Sequence, residues 1–249
     1  MMNFTGFKPV FTREFKGYFA SPLGYIFVVI FLLASSYLAL SRDFGRFLEL
    51  RQASMISFFA FIPWIFVILV PAVAMRLWAE ERKTGTIEIL FTLPITLEGA
   101  YLGKFLAGLC FLGFSLLLTT PMVFMTAYLG DPDWGPIFTG YLGCFLLGAA
   151  FLSIGMLFSA LTKNQVVAFI LGITASVIFL ILGLPQTLQV VNSFFGAYPE
   201  QLLASLSITD HFGSLTRGLL EFRSLAFFVI MTAIWLFGGI VVLNQTKAS

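Results

Sequence analysis

The chain has 249 residues, 59% of them hydrophobic and only 10% charged, where a soluble domain carries about 25% charged residues. Its net charge of +2 comes from 14 basic and 12 acidic side chains clustered between apolar runs, which excludes the basic stripe of a nucleic-acid binder. So much apolar surface exceeds what a soluble core can absorb, and the chain reads as a membrane protein.

The first 20 residues place Lys8, Arg13, Glu14 and Lys16 among aromatics and lack a continuous apolar centre. They are therefore expected to stay with the mature protein rather than leave as a cleaved signal. Phe11, Phe15, Tyr18 and Phe19 recur at i, i+4, i+7 and i+8, which predicts an interfacial helix within residues 1–21 that turns at Ser21-Pro22.

Six runs without Asp, Glu, Lys or Arg follow, at 22–41, 52–75, 105–130, 134–162, 164–199 and 224–246. A helix rises 1.5 Å per residue, so about 20 residues cross the roughly 30 Å hydrocarbon layer. Spans are predicted near 23–41, 55–75, 100–129, 136–161, 165–184 and 224–243, in one transmembrane domain covering 1–249. An even count puts both termini on one side. That side would hold Lys8, Arg13, Lys16, Arg76, Arg82, Lys83, Lys104, Lys163 and Lys247, nine of the 14 basic residues, and the other Arg42, Arg46, Arg51, Arg217 and Arg223. By the positive-inside rule the termini are cytoplasmic.

Residues 76–98 form a cytoplasmic loop in this layout. Its charges Glu80, Glu81, Arg82 and Lys83 precede Gly85, which permits a sharp turn, and Thr86, a helix N-cap type with Glu88 in the first turn. A short helix over 86–93, ended by Pro94, is predicted there. Asp131-Pro132-Asp133 then makes a tight external turn. Gly99-x-x-x-Gly103 on the third span, with Ala149-x-x-x-Ser153 and Gly155-x-x-x-Ser159 on the fourth, predicts close helix packing, and Pro63, Pro71 and Pro121 predict kinks. In the external segment 185–223, residues 185–199 remain apolar but are too broken by Gln186, Gln189, Asn192, Ser193, Gly196 and Pro199 for another full span. The segment reads as a re-entrant or interfacial excursion followed by amphipathic helices carrying Asp210, His211 and Arg217, with His211 on the surface. Cys110 and Cys144 lie in apolar runs and read as packing residues. Gly99 to Lys104 departs from a phosphate-binding loop by one residue and lacks the following hydroxyl. With a single histidine, neither a catalytic set nor a metal site is expected.

Together Arg13-Glu14-Phe15, Ser21-Pro22-Leu23-Gly24-Tyr25, the run Glu80 to Leu90 with Leu93-Pro94, Gly103-Lys104-Phe105, Asp210-His211-Phe212 and Arg217-Gly218 resemble the ABC-2 type permeases. These are the membrane subunits of type V-like ATP-binding-cassette exporters, and the chain looks most like the gliding-motility-associated group. The resemblance implies an all-α polytopic fold of six transmembrane helices with an N-terminal interfacial helix, a cytoplasmic coupling helix and external re-entrant or amphipathic helices, in a bacterial inner membrane. It implies that Glu80, Glu81, Arg82, Lys83, Gly85, Thr86 and Glu88 contact a separate nucleotide-binding ATPase subunit, which would bind the ATP and Mg, leaving no cofactor in this chain. It also implies a second permease subunit, membrane lipid around both, and in gliding-type relatives a membrane protein with a periplasmic domain. Asp210, His211 and Arg217 would cap the pathway or hold that partner. The alternative is an ATP-driven mechanical module acting on a periplasmic partner without moving a solute.

Overall fold

The computed structural model describes residues 6–47, 53–88, 95–195, 203 and 205–248. Among them the backbone is helical with no strand. The helices are α1 (Phe7–Ala20), α2 (Pro22–Leu40), α3 (Ile56–Ala74), α4 (Arg76–Thr84), α5 (Leu97–Leu117), α6 (Thr120–Leu129), α7 (Trp134–Leu161), α8 (Gln165–Leu182), α9 (Pro185–Phe195), α10 (Ile208–Thr216) and α11 (Phe222–Ala248). Six helical stretches, some of them joining two of these helices, are long and apolar enough to cross a membrane. The chain is an all-α polytopic membrane protein.

Two spans differ from the sequence expectation. The second does not end at residue 75, because Met75 keeps right-handed helical angles and the chain continues as α4. The charged residues taken for the start of a loop are good helix formers, with no Gly or Pro until Gly85. The third breaks in two. Thr119 N–H bonds Leu116 at 3.0 Å rather than continuing the α-helical ladder, its hydroxyl donates to the same carbonyl at 2.6 Å, and Pro121 opens α6. Proline is well placed in a first turn because its missing N–H is not needed there.

Helix α7 is the hub. Of its most apolar window 72% is buried, against 22% for α8 and α11 and 28% for α2. It packs against α3, α4, α5, α8, α10 and α11, and small residues allow this. A Cβ added at Gly155 would stand 2.5 Å from the Cβ of Ala74 on α3, while Phe66 fills the space beside Gly148. Asp133 starts α7 by accepting the Gly135 N–H at 3.0 Å, the N-cap arrangement.

Candidate functional site

At one end of the bundle α1 lies along α5. Gly103 makes the approach possible, since a Cβ there would meet the Phe7 carbonyl at 3.1 Å and the Phe11 nitrogen at 3.3 Å. Tyr18 then stacks on Phe111 of α5 with ring centroids 4.6 Å apart, and Phe7, Phe11, Phe15 and Phe19 form a ladder of ring contacts along α1. The aromatic stripe expected to lie in headgroups is thus partly spent on α5.

Helix α4 is fixed to the end of α7. The Ser159 hydroxyl donates to the Met75 carbonyl at 2.7 Å and accepts the Trp78 and Ala79 N–H groups, each at 3.0 Å. A side chain inserted into the helical ladder in this way is a recognised cause of a bend, and here it marks the joint between α3 and α4. The Arg82 guanidinium caps α7 by donating to the Ala160 carbonyl, whose lone pairs the helix end leaves unused.

These two dockings converge on Lys104. Although only 2% of its side chain is exposed, Lys104 Nζ donates to Glu14 of α1 at 3.0 Å and to Glu81 of α4 at 2.9 Å. It also lies 5.0 Å from the centroid of the Trp78 ring. Arg13 closes the cluster from outside, donating to Glu14 at 2.7 Å and Glu81 at 3.0 Å. Two cations and two carboxylates balance, the condition under which buried charges are tolerable. Burial opposes ionisation of Glu14, but Lys104 and Arg13 outweigh it and hold its carboxyl below its ordinary range. Burial pushes the Tyr18 phenol far up, keeping it neutral. One interfacial helix, one extension of the second span and the start of the third are therefore tied by one ammonium.

The other expected site residues are placed as follows. Glu80 and Lys83 are exposed, whereas Glu81 and Arg82, expected to face a partner, are engaged inside the fold. Gly85 ends α4 with φ 73°, a left-handed geometry that glycine adopts without strain. The Thr86 hydroxyl lies 2.9 Å from that of Thr84, turned back to α4 rather than forward as a cap. Residues 86–88 are helical with Ile87 buried and Glu88 exposed; the remainder of the helix expected over 86–93 lies outside the described residues.

At the opposite end, Asp210 on α10 and Arg217, which follows its last residue, are exposed, but His211 is buried, correcting its expected surface position. Its ring stacks on Phe227 at 4.3 Å, with Nδ1 3.1 Å from the Ser224 hydroxyl and Nε2 3.1 Å from the Ser205 carbonyl. A carbonyl only accepts, so Nε2 donates there. Partners from α11 and the preceding segment, invisible to local periodicity, made this polar residue internal.

In the sequence Lys104 stands out only as one of the basic residues of its side and as part of Gly103-Lys104-Phe105. Its partners are 90 and 23 positions away, so the one available signal was a lone lysine just inside a small-residue helix start. Among the described residues no three His, Cys, Asp or Glu side chains gather as a metal site.

No curated protein matches the chain. The family described as ABC-2 family transporter protein matches residues 9–248, from α1 to the end of α11. With that match over nearly the whole length and six helices able to span a membrane, the chain belongs to the ABC-2 transporter family as a multi-pass permease subunit.

Proposed function

We propose that this permease couples ATP hydrolysis in a separate nucleotide-binding subunit to export of a substrate, with the α1–α4–α5 unit as the transmitting part. The observation that carries the reading is the Lys104 cluster. A force on α4 or on the segment after Gly85 cannot tilt α4 alone, because Glu81 holds it to Lys104 and Glu14 while Arg82 and Ser159 hold it to α7. Rigid elements with two discrete arrangements are what carry motion between distant sites. Exposed Lys83, Gly85 and Glu88 supply the contact surface for the ATPase, and the unit would lie on the cytoplasmic face of a bacterial inner membrane. Two permeases would pair around the path, in the manner of the gliding-motility-associated group.

The test is purification from mild detergent followed by reconstitution. Co-purification of an ATPase is expected, with transport that disappears in Gly85→Val and Glu88→Lys while folding persists. Undiminished substrate-stimulated ATPase and transport in both variants would reject the coupling role. Retained ATPase coupling with no solute moved would instead favour the mechanical module acting on a periplasmic partner.

A further inference from the structure

Beside the Lys104 cluster lies a polar cavity of about 320 Å³, lined by Ser21, Arg76, Glu80 and the cluster itself. It meets an apolar groove of about 120 Å³ at Tyr18 and Arg76, which border both. The groove runs between Leu23, Phe27 and Ile30 of α2 and Leu69 and Val73 of α3. Arg76 is the first charge after the run 52–75, and a charge that closes an apolar run is expected at the depth of the lipid headgroups.

Within this cavity most charge is already satisfied. Glu14, Glu81, Arg13 and Lys104 neutralise one another. Two groups remain. Arg76 is half-buried, donates to the Ser21 hydroxyl at 3.1 Å, lies 5.7 Å from the Tyr18 ring centroid and pairs with no carboxylate among the described residues. Glu80, one helical turn along α4, is exposed and pairs with no cation among them. Ser21 also precedes the first turn of α2, whose positive end favours an anion.

We propose that this site holds a phospholipid whose headgroup carries both a phosphate and a primary ammonium, namely phosphatidylethanolamine. The phosphate sits on Arg76 and Ser21 and the ammonium faces Glu80. One acyl chain lies in the groove between α2 and α3. An uncommitted cation and an uncommitted anion four positions apart complement a zwitterion, whereas a purely anionic headgroup would meet Glu80 with repulsion. Choline lacks the N–H donors that a carboxylate accepts. The site is independent of any transported substrate.

The experiment uses the full chain in nanodiscs containing equal parts phosphatidylethanolamine, phosphatidylcholine and phosphatidylglycerol, read by native mass spectrometry of retained lipid. The wild type is expected to retain phosphatidylethanolamine preferentially. Arg76→Gln is expected to lower that retention about tenfold, the scale of one lost charge-assisted hydrogen bond. Glu80→Gln, at an exposed position that leaves the fold intact, is expected to shift the preference toward phosphatidylglycerol. Equal retention of phosphatidylcholine, a wild-type preference for phosphatidylglycerol, or an unchanged preference in Glu80→Gln would each overturn the proposal.

Discussion

At the residue scale, the energetics of the cluster turn on how unequally its four charges are buried. Lys104 is 2% exposed and its two carboxylate partners 18% and 16%, whereas Arg13 is 58% exposed. Removing the ammonium leaves two largely buried carboxylates facing each other, and breaking a buried pair from one side costs about 3–5 kcal/mol. Lys104→Met is therefore expected to lower the detergent melting temperature sharply, or to prevent folding. Arg13→Ala should cost less than about 1 kcal/mol, as exposed ion pairs do. Similar melting of the two variants would show that the cluster does not hold α1. Glu14 also sets a pH dependence. Its folded pKa lies below the unfolded value of about 4.3, so its stabilisation is complete above that pH and is lost as pH falls through the folded value. Protection of the α1 amides, taken relative to their intrinsic exchange rates, should be flat from about pH 7 to 5 and fall only below the unfolded carboxylate value of about 4.3, and Glu14→Gln should abolish that step. The sequence could expose none of this, since Glu14 looked like one charge on an interfacial helix and Lys104 like a motif fragment.

At the scale of elements, the α3–α4 joint is the part with the clearest mechanical consequence. Ser159 gives the Trp78 and Ala79 N–H groups an acceptor while occupying the Met75 carbonyl. In Ser159→Ala, Ala79 can return to the ordinary bond with Met75, so the loss of stability should be modest, about 1 kcal/mol. The change should appear in the setting of α4 instead. ATPase binding is expected to persist while transport per ATP hydrolysed falls, measured in proteoliposomes; unchanged coupling would make Ser159 a packing residue only. Much at this scale was legible from sequence. Charge-free runs marked six spans because lipid admits no unpaired charge, and the Gly155 to Ser159 pattern sits where α7 meets α3 and α4. What was missed depended on partners distant in sequence. The charges of residues 76–84 obscure their helix propensity, and the break at Thr119 needs a hydroxyl that bonds both Leu116 and Tyr141.

For the whole molecule, the contacts between helices sort the chain into two ends. Helix α1, α4 and the C-terminal end of α7 share one end, joined by Glu14, Lys104, Glu81, Arg82 and Ala160. Tyr101, at the start of α5, lies against Gly239 and so brings the late part of α11 to the same end. The other end gathers α10 on the early part of α7, through Leu215 beside Gly143, and joins α10 to the start of α11 through His211 and Ser224. Among the described basic residues the division that follows this partition is nine to four, Arg42, Arg46, Arg217 and Arg223 standing at the second end, so the positive-inside rule applies to ends that the contacts define. Lys83 and Glu221 are exposed residues at the two ends, and Cys110 and Cys144 are the only native thiols. In a Cys110→Ser, Cys144→Ala background, Glu221→Cys is expected to react with a membrane-impermeant maleimide on intact cells. Lys83→Cys should react only after the membrane is permeabilised. The reverse pattern would put α4 and the Lys104 cluster on the outer face, out of reach of any cytoplasmic ATPase, and would remove the proposed coupling while leaving the fold unchanged.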